Sequence, residues 1–389
     1  MSPPEAPLIW LLAGEASGDV LGARLMAALR HRCPQARFTG IGGPRMEQAG
    51  LRSLFPMPDL AVMGLVEILP RIRHLSRRLD QAVADIERQR PDLVVTIDSP
   101  GFALRLLRRI KDLGIPRVHY VAPQVWAWRE HRVKKFPGLW DRLLVLLPFE
   151  EDFFRRHGLA ARFVGHPVLQ SGADTGDAAR FRARHHIPEQ APVLVLMPGS
   201  RRSEAPRLLP VFGAMLTLLR QRLPDVVPVI PVSPVVAEAV LKATADWPVR
   251  PVIVTDLADK HDAFAAAAAA LTKSGTSTLE LALAGVPMAV TYRVNPLTAF
   301  LARRLIRVPY VAMVNLLSGH ALVPELLQQD CRPDRLAKTV VRLMTDPIQR
   351  ARQKAGFTEL LRGLEGPDHL DPADAAATDI LSLLHSATR

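Results

Sequence analysis

The sequence predicts an α/β protein of two Rossmann-like domains, each a parallel sheet flanked by helices. Three observations carry this expectation. Short β-rich apolar runs alternate with longer amphipathic stretches, the pattern of strand–helix–strand units. The alternation breaks once, in the polar, Gly- and Ala-rich interval 170–179, and then restarts. A length of 389 residues suits two domains of roughly 150 residues with a small appendage.

Residues 8–13 form the first buried strand, 14–19 a turn and 20–30 a helix. Residues 37–41 repeat the strand signal and Gly42-Gly43 ends it. Strands follow at 93–97 (after Pro91 and Asp92), 118–121 and 143–147, with helical stretches between them such as 103–113, stopped by Gly114. Past the interval, strands are expected at 193–197, 227–232, 252–254, 269–272 and 288–291, and the alanine run 265–270 reads as helix. The expected organisation is therefore an N-terminal Rossmann-like domain over 1–170, a linker over 171–190 and a second Rossmann-like domain over 191–345. A helical segment over 346–389 is expected to pack back toward the N-terminal domain. Ligands of such sheets bind at the carboxyl ends of the strands, which puts the expected site in the interdomain cleft.

Composition narrows the function. A hydrophobic fraction of 48% with 23% charged residues supports packed cores and excludes disorder. Two cysteines, Cys33 and Cys331, make neither a disulfide scaffold nor a thiolate zinc cluster and fit a reducing compartment. The uncharged stretch 308–324 is interrupted by Asn315, Ser318, Gly319, His320 and two prolines, so it makes a poor spanning helix. The N-terminus lacks a basic region and carries Glu5, unlike a signal peptide. With 50 Lys+Arg against 38 Asp+Glu, the net charge of +12 calls for an anionic partner: nucleic acid, a lipid surface or a phosphorylated substrate.

The clearest phosphate-binding signal is Thr272-Lys273-Ser274-Gly275-Thr276-Ser277-Thr278-Leu279-Glu280, where a strand ends in a hydroxyl-rich turn that opens a helix. Amides at such a start suit a diphosphate, and Glu280, about one turn in, suits a ribose diol; an ordinary N-cap at Ser274 or Thr276 is the competing reading. Pro198-Gly199-Ser200-Arg201 brings a guanidinium to a second strand end, where its planar donors suit a leaving diphosphate. In the first domain, Gly14-Glu15-Ala16-Ser17-Gly18-Asp19 follows the first strand; its polar groups either orient sugar hydroxyls or cap the next helix. Asp98 ends the run 93–97, the position of a general base, although Asp-Ser-Pro-Gly also makes an ordinary turn. His119, Gln124, Trp126 and Trp128 cluster at another strand end, where aromatics suit a sugar face or the core. Asp256, Asp259 and Asp262 read as the start of a helix in preference to a metal site.

Within 61–79, Leu65, Ile68, Leu69, Ile72, Leu75 and Leu79 follow helical spacing, bordered by Arg71, Arg73, Arg77 and Arg78. That pattern suits either a core helix or an interfacial helix on an anionic membrane. Pro70 argues for a break or restart within it.

Together these segments resemble the lipid-A-disaccharide synthase family. The resemblance covers nearly the whole chain and rests on Ala13–Asp19, on Gly43-Pro44-Arg45-Met46, on Leu60-Ala61-Val62-Met63-Gly64 and on Ile97-Asp98-Ser99-Pro100. It continues through His119-Tyr120-Val121-Ala122-Pro123, Val125-Trp126-Ala127-Trp128 and Val164-Gly165-His166-Pro167. In the second half it includes Pro198-Gly199-Ser200-Arg201, Ser274-Gly275-Thr276 and Val314-Asn315-Leu316. It implies a GT-B fold with no metal or cofactor. The implied reaction condenses a UDP-2,3-diacylglucosamine donor with 2,3-diacylglucosamine 1-phosphate, giving a β-1,6 linkage with inversion and releasing UDP. On that resemblance Asp98 is the catalytic base, with Glu15 the second catalytic candidate. Ser200, Arg201, Ser274, Gly275, Thr276, Ser277 and Glu280 hold UDP, and Ser17, Asn315, His119 and Gln124 position the sugars. Many members carry Asn where this chain has Ala103.

Acylated substrates favour the membrane reading of 62–79, with Val66, Leu69, Ile72, Arg73, Leu75, Arg77 and Arg78 as contacts. The expected location is cytoplasmic and peripheral to the inner membrane, with its anionic inner leaflet as partner; a homodimer is compatible with this. The alternatives are another UDP-N-acetylglucosamine transferase or an epimerase of the same architecture, and a non-catalytic nucleic-acid-binding protein. The last is disfavoured because the basic stretches do not interleave aromatics.

Overall fold

The computed structural model describes residues 6–60, 65–127, 130–199, 205–295 and 308–387. The chain divides into two compact units, 1–167 with 364–389, and 168–363. Each holds a six-stranded sheet whose strands are all parallel.

In the first unit the sheet order is β2-β1-β3-β4-β5-β6, with β1 Leu8–Ala13, β2 Arg37–Ile41, β3 Leu93–Ile97, β4 Arg117–Tyr120, β5 Arg142–Val145 and β6 Ala161–Phe163. β1 reads as a continuous apolar run, and β3 as one broken only by Thr96, because both faces are covered. Ile9, Leu11 and Ala13 of β1 pack with Leu25 and Leu29 of α1 (Ala16–Arg32). Trp10 and Leu12 point the other way, into a core shared with Leu106 and Leu107. The remaining helices of this stretch are α2 (Pro44–Gln48), α3 (Leu65–Gln89), α4 (Pro100–Arg109) and α5 (Pro148–Arg156). α3 runs through Pro70 without the expected break. Pro70 is the sixth residue of α3, so its missing N–H forfeits one backbone hydrogen bond, in the second turn.

In the second unit the order is β12-β11-β10-β7-β8-β9. The elements run α6 (Ala178–Arg184), β7 (Val193–Met197), α7 (Ala205–Leu219), β8 (Val227–Pro231), α8 (Pro234–Ala243), β9 (Val252–Val254), α9 (Leu257–Ala266) and β10 (Ala267–Lys273). They continue with α10 (Ser277–Leu283), β11 (Met288–Tyr292), α11 (Met313–Ser318), β12 (Glu325–Leu327), α12 (Pro333–Thr345) and α13 (Pro347–Arg362). The alanine run is a correction: 265–266 finish α9, but 267–270 are strand, paired with β7 on one side and β11 on the other. Alanine's helix preference is weak beside a central position in a sheet, where ladder bonds form on both sides.

Residues 171–190, expected to link the domains, carry α6 within the second unit. Arg180 grips the buried Asp262 of α9 with two 2.6 Å hydrogen bonds, and Asp262 also accepts from the Asp177 N–H at 2.7 Å. The 346–389 segment is divided: α13 belongs to the second unit, whereas α14 (Pro372–Ala387) packs on α1 in the first. Its return is set at Gly165, whose φ is +88° and where a Cβ would lie 2.8 Å from the Gly366 amide nitrogen. The His166 N–H donates to the Leu364 carbonyl at 2.9 Å beside it. No helix among the described residues is long and apolar enough to cross a membrane.

Candidate active site

In the first unit the register sets three strand ends side by side. Ala13 pairs with Ile97 and Ile97 with Tyr120, so Gly14, Asp98 and Val121 form a row just past β1, β3 and β4. The backbone is strained along this row. Asp98 has φ +52°, Ser99 +46° and Val121 +77°. For a β-branched residue such a φ is a true outlier, and left-handed non-glycine positions cost about 1–3 kcal/mol each and collect at functional sites. The Asp98 N–H still donates to the Tyr120 carbonyl at 2.9 Å, tying the turn to β4. Asp98 is half-buried. Burial pushes its carboxyl above the ordinary value, and the Ser99 N–H pulls it partly back.

Gly14 permits this turn, because a Cβ there would meet Ser99 Oγ at 2.4 Å. Glu15 follows as the N-cap of α1, and the helix begins at Ala16, inside the stretch expected to be turn. Glu15 and Ser17 are exposed there, and Gln124 is exposed beyond β4. Asp19 is buried and structural: it accepts from the N–H groups of Gly43, Arg45 and Met46 at 2.9, 2.9 and 3.0 Å, satisfying the start of α2.

His119 is a correction. It lies inside β4, fully buried, stacked on Trp140 at 5.4 Å with Nδ1 2.7 Å from Thr96 Oγ1. Burial lowers its pKa to about 4, so it is a neutral core residue with no reach to a sugar. Trp126 donates to the buried Glu150 at 2.9 Å, and Glu150 also accepts from the Leu147 N–H at 3.1 Å. Burial raises the Glu150 carboxyl to about 7 against these bonds. Trp128 lies outside the described residues.

In the second unit the carboxyl ends of β7, β8, β9 and β10 surround a cavity of about 500 Å³. Ser274, Gly275, Thr276 and Ser277 line it, as the sequence pattern anticipates, together with Gly199. Ser200 and Arg201 lie outside the described residues. Lys273, from the same strand-end motif, also lines it, together with a second cation outside that motif, Lys260. Lys260 sits one turn into α9 and grips Glu280 with bonds of 2.9 and 2.8 Å to its two oxygens. A carboxylate oxygen keeps further lone pairs, so Glu280 so held can still accept from a diol. Only the topology, which brings α9 beside α10, reveals Lys260; its sequence neighbourhood reads as charged helix.

Asp256 caps α9 through the Asp259 N–H, and Asp259 pairs with Arg184 and His185. With Asp262 held by Arg180, all three of these carboxylates have protein partners. Asn315 is a second correction. It is fully buried, and its amide exchanges bonds with both the N–H and the carbonyl of Val323, at 2.8 and 2.9 Å, and donates to Glu325 at 2.8 Å. It holds the chain in place of touching a sugar.

On α3, Arg73 and Arg77 are exposed and Leu75 is half-buried. Arg78 is engaged elsewhere, ion-paired with Asp59 and lying 4.7 Å over the Phe55 ring. The side chains of Val66, Leu69 and Ile72 lie outside the described residues.

The sequence profile of the lipid-A-disaccharide synthetase family matches residues 9–375. A lipid-A-disaccharide synthase of Gluconobacter oxydans (strain 621H) is 66% identical over 378 residues, covering 97% of this chain and 91% of the relative. One from Granulibacter bethesdensis is 62% identical over 389 residues, covering 97% and 99%. Among solved structures, the glycosyltransferase of kitacinnamycin matches with a TM-score of 0.65 at 20% identity, over 98% of this chain and 100% of the other. That likeness is one of fold, the GT-B glycosyltransferase architecture. By profile and by close relatives over nearly its full length, the chain belongs to the lipid-A-disaccharide synthetase family, whose members are glycosyltransferases.

Proposed function

We propose that the chain condenses UDP-2,3-diacylglucosamine with 2,3-diacylglucosamine 1-phosphate, forming the β-1,6-linked disaccharide 1-phosphate and UDP. The observation that carries this reading is Asp98, held in a strained turn past the end of β3 with its carboxyl pushed upward by burial. In the proposed step the acceptor 6-hydroxyl attacks the anomeric carbon while its proton passes to Asp98. The anomeric C–O bond to the diphosphate breaks as the new bond forms, and UDP leaves with the electron pair. A raised carboxyl is a better proton acceptor than an ordinary one, and a positioned base contributes typically about 10²–10⁴-fold.

Glu15, Ser17 and Gln124 position the acceptor, while Lys260, Lys273 and Arg201 neutralise the diphosphate and Glu280 takes the ribose diol. The acyl chains of both substrates call for contact with the inner leaflet, and Arg73 and Arg77, exposed in the basic stretch of α3, are cations suited to it. Incubating the purified chain with both diacylated substrates tests the reading. Disaccharide 1-phosphate and UDP in equal amounts are expected; consumption of a UDP-sugar without a disaccharide would replace it with an epimerase.

A further inference from the structure

The cavity of the second unit has a support behind it that does not itself line the cavity. Glu325 opens the edge strand β12, opposite Val290 of β11. Three donors converge on its carboxylate: the Val311 N–H at 3.1 and 3.2 Å, the Ala312 N–H at 2.9 Å and the Asn315 side chain at 2.8 Å. Val311 is therefore held on both sides. Its N–H points to Glu325, and its carbonyl accepts from the Ser274 hydroxyl at 2.5 Å. Ser274 is the cavity-lining residue that starts the 274–277 turn.

We propose that Glu325 is a positioning residue for the donor diphosphate, acting through Val311 on Ser274 and the turn that follows. This rests on the reading that the cavity takes a diphosphate. All three donors reach one Glu325 oxygen, and the Val311 N–H also lies 3.1 Å from the other. A carboxylate accepts at both places, whereas an amide of the same shape turns an NH₂ toward the Val311 N–H at the second. Asn315, bonded to both Glu325 and Val323, keeps the 311–315 segment on the β12 side so that Val311 stays within reach of Ser274.

The test is UDP binding by calorimetry to wild type, Glu325→Gln, Ser274→Ala and the double variant. Glu325→Gln is expected to weaken UDP binding about tenfold and to raise the donor KM while leaving the acceptor KM unchanged. In the Ser274→Ala background the same change is expected to have no further effect, which a general loss of stability would not produce. Hydrogen exchange on the wild type gives a second measurement that needs no variant to fold: UDP should slow exchange of the Val311 and Ala312 amides. Wild type that binds UDP, with a folded Glu325→Gln of equal affinity or with exchange at 311–312 unchanged by UDP, overturns the proposal and leaves the diphosphate reading standing. Wild type that binds no UDP overturns the diphosphate reading and this proposal with it.

Discussion

Gly14→Ala isolates the packing beneath the Asp98 turn. The added Cβ would lie 2.4 Å from Ser99 Oγ and 2.9 Å from Ser99 Cβ, against the roughly 3.5–4.0 Å at which carbon atoms rest. Ser99 is the N-cap of α4 and already sits at φ +46°, so it has little room to give. Overpacking of this kind costs about 1–3 kcal/mol, offset by about 0.4–1 kcal/mol from the smaller unfolded ensemble of alanine. A net loss of about 1–2 kcal/mol is expected in urea unfolding. The effect on turnover should be larger, because displacing a reacting group by about 1 Å can cost about 100-fold. Adding Ser99→Gly removes both clashing atoms and suits the left-handed φ, so the double variant should recover stability and much of the rate. A Gly14→Ala chain with wild-type turnover would refute the claim that this contact sets the position of Asp98.

Two further outcomes follow from other parts of the first unit. Glu150 holds its proton in the folded chain up to about pH 7, whereas the unfolded chain loses it near its ordinary value of 4.5. Its contribution is fully present below that value and fades as pH rises toward 7, by on the order of 3 kcal/mol. Glu150→Gln should flatten the fall in unfolding free energy across that window, and an unchanged slope would place the titration elsewhere. Replacing Arg73 and Arg77 together with alanine should reduce sedimentation with anionic vesicles by roughly tenfold or more, at about 1 kcal/mol per basic residue near the surface. Unchanged sedimentation of the folded double variant would count against α3 as the docking element.

The central strands were legible because both faces of each sheet are covered, so β1 and β7 read as unbroken apolar runs and β3 as one interrupted only by the buried Thr96. The same fact explains why residue type alone misleads around the site. Residues inside a covered strand are buried whatever their chemistry, so His119 of β4 is core, while Asp98, one position past β3, reaches the strand ends where ligands bind. Asn315 shows the limit of residue type alone: an amide suits a sugar or two backbone groups equally well, and only the fold brings Val323 and Glu325 within bonding distance. Lys260 and Glu325 act across elements far apart in sequence, through spacings no local pattern records. Among the three-residue strands, β9 is legible because it is wholly β-branched, Val252-Ile253-Val254, whereas β6 and β12 are too short to carry a period and include Arg162 and Glu325. The strain at Val121 is a property of the backbone and leaves no mark in composition.

The role proposed for Asp98 is to take the acceptor proton. Its most direct test is the rate of disaccharide formation by wild type and Asp98→Asn at saturating substrates across pH. Asparagine keeps the shape and tolerates the left-handed turn but accepts no proton. The expected result is a kcat lower by about 10²–10⁴-fold, near-unchanged KM for both substrates, and loss of the acidic limb of the wild-type pH profile. A folded Asp98→Asn chain with full kcat and the same acidic limb would contradict the account.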